Sequence, residues 1–102
     1  MTAAQKPTYR RQKNTGTVTI SGVVDIFEAE ALKSVSLKAL EDENATSVVV
    51  NLAKLVRLDV AALQVLLALE TDVAASGRTC VFRNPPAVFE QTLANLGLSA
   101  RR

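Results

Sequence analysis

The sequence predicts a small α/β domain, in which helices pack on a mixed β-sheet of four to five strands. A β-branched run from Ser47 to Leu52 is typical of a strand covered on both faces, and the long Ala- and Leu-rich segment after Asp59 is typical of a buried helix. Strand-like and helical segments follow one another in the order β-β-α-β-α-β-α, which implies right-handed crossovers. The chain has 102 residues and an apolar fraction of 48%, enough for one core.

The first segments predict a hairpin. Residues 1–7 are expected to form a flexible polar leader, and the charged segment from Thr8 to Lys13 is suited to an edge strand. Asn14-Thr15-Gly16 has turn chemistry, because Asn and Gly tolerate positive φ angles. A second strand from Thr17 to Ser21 is therefore expected, and Gly22-Val23-Val24 continues or bends it.

A first helix is expected to begin at Asp25. Glu28 follows this residue at the spacing of a capping box, so the Asp25 carboxylate is placed to accept hydrogen bonds from the first free N–H groups of the helix. The helix ends at the polar segment Glu41 to Asn44, whose acidic side chains are more typical of a solvated loop than of a metal site. Residues at three- and four-residue steps form one apolar stripe: Ala29, Leu32, Val35, Ser36, Ala39 and Leu40.

The central helix is predicted from Val60 to Ser76. The Asp59 side chain is placed to cap it, and Gly77 suits the left-handed position just after its end. From Val60 to Leu69 only Gln64 is polar, which predicts a segment covered nearly all round. The predicted core includes Val49, Leu63, Leu66, Leu67 and Phe82.

A last strand and helix complete the predicted domain. The strand spans Thr79 to Arg83, and its residue Cys80 is expected to fill a small core position. Asn84-Pro85-Pro86 predicts a helix start, since proline is tolerated in a first turn. Gly97-Leu98 resembles a helix end, which places the domain over residues 8–98 and leaves a basic tail over 99–102. One side of the helix is lined by Val88, Phe89, Leu93 and Leu96.

Charge and hydropathy narrow the partner classes. Six of the 12 basic residues lie within residues 6–13 and 101–102, so the rest of the chain is mildly acidic. These basic ends lack interleaved aromatic residues, and no nucleic-acid partner is expected. No apolar run reaches eighteen residues and no basic-then-apolar leader is present, so neither membrane insertion nor secretion is expected and the predicted location is cytoplasmic.

The residue inventory argues against an enzyme. The chain has no histidine, which removes the commonest general base and metal ligand. Its four glycines are scattered singly, so a phosphate-binding loop is not predicted. Asp25 and Asp59 could form an acid–base pair at one sheet edge, although helix capping explains each of them separately. No catalytic residue, metal or cofactor is therefore expected.

Several segments of the chain resemble the motifs of one known family. Ser21-Gly22-Val23-Val24-Asp25 is similar to the family phrase Ser-Gly-x-Leu-Asp, and Val49-Val50-Asn51-Leu52 to its strand Val-Val-Leu-Asp-Leu. The segment from Leu58 to Leu67 is similar to Ile-Asp-Ser-Ser-Gly-Leu-x-x-Leu-Leu. Gly77-Arg78 before a strand, and Asn84-Pro85 before the last helix, complete the match. Over residues 8–98 the chain therefore resembles the STAS domain family, named for sulphate transporters and anti-sigma factor antagonists.

The resemblance implies a mode of action as well as a fold. Free-standing bacterial members bind protein partners at the edge that carries the start of the central helix, and a partner kinase phosphorylates a Ser or Thr there. In this chain Val60 and Ala61 occupy the two Ser positions. Ala61 matches the phosphoacceptor, but its side chain has no hydroxyl group. Asn51 replaces a common family Asp. The family switch therefore has no acceptor in this turn. Either the module is unswitched and binds constitutively, or its regulation lies elsewhere in the chain, where Ser21, Thr19 and Thr46 carry hydroxyl groups but no motif favours them.

The expected function is a non-enzymatic protein-interaction module, similar to an anti-sigma factor antagonist but without the usual phosphoacceptor. The resemblance implies a kinase-like anti-sigma factor, a chemotaxis-type signalling protein or a transporter ATPase as partner. The alternatives are a small-ligand or nucleotide-binding STAS domain and an accessory subunit of a lipid transport complex. The residues expected at the partner surface are Asp25, Arg57, Asp59, Val60 and Ala61.

Overall fold

The computed structural model describes residues 6–97, which form seven elements in the predicted order. The first five residues of the expected leader lie outside the described residues, as do Leu98 and the expected basic tail. The elements are β1 (Thr8–Gln12), β2 (Thr15–Val24), α1 (Ala29–Glu41), β3 (Ser47–Leu58), α2 (Val60–Ala75), β4 (Thr79–Arg83) and α3 (Ala87–Asn95).

The four strands form one mixed sheet in the order β1-β2-β3-β4. β1 pairs antiparallel with β2, whereas β2 with β3 and β3 with β4 are parallel. Each parallel pair is joined by a helix, because parallel neighbours need a crossover connection. The predicted α/β class and mixed sheet are confirmed.

All three helices contribute to a single core on one face of the sheet. Their buried residues belong to the same cluster as Val18, Val48 and Val50 of the two central strands. Val49 has 6% of its surface exposed but is not in that cluster, and its ladder partner Val81 is 54% exposed. The predicted burial of Val49 is confirmed. Since successive strand residues face opposite sides and Val81 is largely exposed, the second face of the sheet is covered less completely than the face that carries the cluster.

β3 is longer than predicted. It continues through Leu58 instead of ending at Leu52, and its pairing with β2 shifts register between Thr19 and Ser21 and again between Gly22 and Val23. The Asn51 side chain accepts a hydrogen bond from the Ala53 N–H at 3.1 Å, at the first irregularity. Such shifts bend a strand and redirect its side chains.

Two predicted element starts are displaced. The hairpin turn lies at Lys13 and Asn14, with Lys13 at a φ of 57°, so Thr15 and Gly16 already belong to β2. α1 begins at Ala29 instead of Asp25, because a separate turn occupies residues 26–28. The Asp25 carboxylate caps that turn and not the helix itself.

The central helix has a buried side and an exposed side. Leu63 and Leu66 are completely buried, whereas Gln64 and Ala68 are exposed. The expectation of cover nearly all round is therefore wrong, because α1 and the sheet enclose only part of the α2 surface. Leu67 and Phe82, predicted as core residues, are partly buried and pack against the cluster.

A polar cluster joins β1 to the loop after α1. The Tyr9 hydroxyl donates to Asp42 Oδ2 at 2.7 Å, and Arg11 Nε donates to the same oxygen at 2.9 Å. The Tyr9 ring lies so close to Gly16 that a Cβ atom at that position would collide with it. Burial first, and then the Asp42 carboxylate, raise the pKa of Tyr9 from 10.0 to about 12.

The phenolate absorbance of Tyr9 is expected to appear with a midpoint near pH 12 in the folded protein and near pH 10 in denaturant. Tyr9 is the only tyrosine and the chain has no tryptophan, so the absorbance reports this residue alone. Because the folded-state pKa is raised, its contribution to stability is complete below pH 10 and is lost as the pH rises toward 12.

Asp42→Asn is the matched variant for this titration. It should lower the Tyr9 midpoint, because it removes the negative charge that disfavours the phenolate. Circular dichroism recorded alongside checks that the fold persists through the titration. Equal midpoints for folded and denatured wild-type protein would contradict the prediction.

Candidate functional site

The carboxyl ends of β2 and β3 lie side by side. Val24 and Leu58 are ladder partners, and the Asp59 N–H donates to the Val24 carbonyl oxygen at 2.8 Å. Asp25 and Asp59 directly follow these two partners. The two carboxylates singled out in the sequence are therefore brought to one edge of the sheet, where open α/β sheets commonly bind their ligands.

Both carboxylates accept hydrogen bonds from the backbone. Asp25 Oδ1 accepts from the N–H groups of Phe27 at 3.0 Å and Glu28 at 3.3 Å. Asp59 Oδ1 accepts from the Ala61 N–H at 2.8 Å, in the first turn of α2. These contacts are those of capping residues, and they account for both side chains without general acid–base chemistry.

A cleft of about 410 Å³ lies at this edge, and we call it the strand-end cleft. Four of the five residues predicted for the partner surface line it, since Asp25, Arg57, Asp59 and Val60 are all present. The full lining is Val23, Val24, Asp25, Arg57, Leu58, Asp59, Val60, Thr92 and Asn95.

Two residues that line the cleft come from α3 and were not predicted from the sequence. Thr92 and Asn95 lie three residues apart and so share a side of that helix. The Thr92 hydroxyl donates to the Val88 carbonyl oxygen at 2.8 Å. No local pattern could have indicated them, because only the docking of α3 brings its polar side to the strand ends.

Ala61, the fifth predicted residue, faces a different cavity. It lines a groove of about 400 Å³ between α1 and α2, which we call the α1–α2 groove. Its backbone N–H is bonded to Asp59, but its side chain does not line the strand-end cleft. The position that matches the family phosphoacceptor therefore lines a different cavity from the other four residues, although it directly follows Val60 in the chain.

Exposed apolar side chains lie in the two chain segments that carry Asp25 and Asp59. Val23 is 51% exposed, Phe27 is 85% exposed and Val60 is 41% exposed. With Ile26, they make four of the eight exposed large hydrophobic residues in the described part of the chain, and each lies within two residues of Asp25 or Asp59. A cluster of this kind beside a cleft is typical of an interaction surface.

Two other kinds of site are absent from the described residues. Within residues 6–97, no group of three or more His, Cys, Asp or Glu side chains is placed to hold a metal ion. No helix in the same span has the length and apolar character required to cross a membrane.

Several solved structures share this fold. The anti-sigma factor antagonist SpoIIAA in its unphosphorylated form matches with a TM-score of 0.70 and 16% identity, over 91% of this chain and 84% of that chain. A putative anti-sigma factor antagonist from Thermotoga maritima matches with a TM-score of 0.75 and 15% identity, over 89% of this chain and 78% of that one. At these identities the likeness concerns the fold alone.

The fold also occurs as part of a larger chain. Mglu matches with a TM-score of 0.67 and 20% identity. The match covers 78% of this chain but only 20% of the Mglu chain. A comparison with curated proteins found no match. The family model described as "Mlab, STAS domain" matches residues 8–100, nearly the whole sequence, and the chain therefore belongs to the STAS domain family.

Proposed function

We propose that this chain is a non-enzymatic docking module that binds a protein partner through the strand-end cleft and the apolar residues beside it. The observation that carries the proposal is the exposed cluster of Val23, Ile26, Phe27 and Val60. Exposed apolar groups next to polar groups that are already hydrogen-bonded form a surface that a protein can cover with little desolvation cost.

Phe27 is the best candidate for an anchor residue. Its ring is 85% exposed, and the turn that carries it is held by two hydrogen bonds to Asp25. An aromatic side chain on a fixed turn is pre-organised for a pocket in a partner, and such anchors contribute much of the free energy of binding in many interfaces.

A nucleotide-binding role is the alternative for the same cleft. Its charged lining consists of two carboxylates, Asp25 and Asp59, and the single guanidinium of Arg57. A nucleotide phosphate would meet more negative than positive charge there, so the lining favours a protein partner. Calorimetry with ATP and GTP is expected to give no saturable heat. A partner that is a transporter ATPase, as in a lipid transport complex, would use the same docking surface.

A photo-crosslinking amino acid at position 27 is expected to capture a specific partner in host lysate. The matched control is the same substitution at Val81, which is also an exposed hydrophobic residue but lies on the open face of the sheet. Mass spectrometry of the adducts should find a protein joined at position 27 and absent at position 81. The same adducts at both positions, or none at position 27, would contradict the proposed surface.

Ala61→Glu is expected to keep the fold but weaken partner binding by about tenfold or more, which corresponds to about 1.4 kcal/mol. Position 61 lies in the first turn of α2, where a carboxylate is favourable beside the helix dipole. Ala61 directly follows Val60, which lines the strand-end cleft, so a partner seated on the cleft extends over the start of α2 and would be left with a buried charge. The purified partner gives the dissociation constant, and thermal melting checks the fold. An unchanged constant would exclude position 61 from the interface.

The turn from Asp59 to Leu63 is expected to carry no phosphate in the protein isolated from its host. Neither Val60 nor Ala61 has a hydroxyl group, so a kinase has no acceptor there. Intact-mass spectrometry with peptide mapping gives the measurement. A phosphate mapped to Ser21, Thr19 or Thr46 would place a switch elsewhere in the chain, whereas a phosphate mapped to the turn itself would contradict the prediction.

A further inference from the structure

The α1–α2 groove has mainly apolar walls and the size of a small-molecule site. Its volume is about 400 Å³, and Leu40, Val65 and Ala68 are among the residues that line it. Small-molecule sites usually have mainly apolar walls and a few polar groups that orient the ligand. This groove is formed where α1 leaves the side of α2 uncovered, and it does not share its lining with the strand-end cleft.

A polar group without a partner lies in the groove wall. Ser36 is only 7% exposed, and its Oγ has no hydrogen-bond partner among the described residues. A buried hydroxyl without a partner is unfavourable, and each such group in a folded protein needs an explanation. Ser36 is among the residues that line the groove, so a polar ligand atom bound there would satisfy this hydroxyl.

The charged residues make the two ends of the groove electrostatically different. Lys33 lies one turn before Ser36 on α1, whereas Asp72 lies near the end of α2. Both α1 and α2 connect parallel neighbouring strands, so the two helices run in the same direction. Lys33 and Ala61 therefore lie at one end of the groove. Leu40 and Asp72 lie at the other end. An anionic group is favoured at the Lys33 end, next to the positive end of the α2 dipole, and is disfavoured beside Asp72.

We propose that the α1–α2 groove binds a linear amphiphile with a single carboxylate head. The head accepts hydrogen bonds from the Lys33 ammonium and the Ser36 hydroxyl, and the hydrocarbon tail lies along Leu40, Val65 and Ala68. Lys33 and Leu40 are seven residues apart, a rise of about 10 Å along α1, which is about the length of an extended chain of eight carbon atoms. The proposal does not depend on the protein-docking function.

Titration calorimetry of the full chain with decanoate, below its micelle concentration, tests the proposal. We expect saturable binding at one site with a negative heat-capacity change, as burial of the tail requires. Decyltrimethylammonium, which has the same tail and a cationic head, should bind at least about tenfold more weakly, the equivalent of about 1.4 kcal/mol.

Three variants locate the site. Ala68→Phe fills the groove from an exposed position of α2 and should abolish binding. Lys33→Met and Ser36→Ala should each weaken binding by about threefold to tenfold, as expected for the loss of one hydrogen bond to the head. Lys38→Met is the matched control, because Lys38 is an exposed lysine on the same helix that does not line the groove. Circular dichroism checks that each variant is folded.

The opposite results would overturn the proposal. Absence of saturable decanoate binding, equal affinity for the cationic amphiphile, or full binding by Ala68→Phe would each exclude a carboxylate site in this groove. If decanoate does not bind and Ala68→Phe weakens the protein partner instead, the groove is part of the docking surface. Phe27→Ser separates the two proposals, because it should weaken the partner and leave decanoate binding unchanged.

Discussion

Leu66→Asp is expected to unfold the protein. Leu66 is completely buried on the central helix and belongs to the cluster that joins all three helices to the sheet. Burial of a leucine side chain contributes roughly 1.5–3 kcal/mol, and an unpaired carboxylate at the same place costs several kcal/mol more. A domain of this size has a total stability of only about 5–15 kcal/mol, so the combined loss should remove most or all of it.

Gln64→Asp is the matched control for this variant. Gln64 is exposed on the same helix, so the same new charge remains in water and should change the melting temperature by only a few degrees. Circular dichroism as a function of temperature compares the two variants with the wild type. A cooperative melt of Leu66→Asp near the wild-type temperature would show that α2 is not packed as described.

Arg78 is expected to be the most important polar residue for stability. It is half-buried just after α2, and its guanidinium contacts the C-terminal end of α1. Its Nε also donates to Ser76 Oγ at 2.9 Å. The last carbonyl groups of a helix have no partner within the helix. The Arg78 guanidinium donates at 2.6–3.3 Å to four carbonyl oxygens at the end of α1 and in the following loop, those of Ala39, Leu40, Asp42 and Ala45.

Arg78→Met should lower the free energy of unfolding by about 2–4 kcal/mol, because it leaves these half-buried carbonyls without their charged donor. For a domain of about this size, each kcal/mol corresponds to about 4–8 °C in melting temperature. Arg78→Lys should recover less than half of the loss, since an ammonium cannot reach four acceptors with the geometry of the planar guanidinium.

Arg83→Met is the control for loss of a positive charge, because Arg83 is an exposed arginine at the end of β4. Urea unfolding gives the free energies of all four proteins. Equal midpoints for Arg78→Met and Arg83→Met would contradict the role assigned to the guanidinium.

Local signals predicted the later elements well. Asp59 was identified as the cap of α2, and its carboxylate accepts the Ala61 N–H. Gly77 adopts a φ of 82° just after the helix, and β4 spans the predicted residues Thr79–Arg83. These features depend on the backbone preferences of a few neighbouring residues, and such preferences can be inferred from residue types alone.

The course of β3 could not be predicted in the same way. Leu52, Leu55 and Leu58 are all buried, although a spacing of three does not fit the alternation of a regular strand. The two register shifts against β2 make this spacing possible, because each adds a residue that has no counterpart on the neighbouring strand. A pattern that depends on the partner strand cannot be read from β3 alone.

The sequence by itself determined the Asp59 cap of α2, the order of elements and the absence of a hydroxyl at Ala61, because each follows from residue type and local spacing. Only the tertiary structure decided that Thr92 and Asn95 join the strand-end cleft, that Ala61 faces the α1–α2 groove, and that one side of α2 remains exposed. These outcomes depend on how helices dock on the sheet. Docking is set by contacts between residues far apart in the chain, and no single segment encodes it.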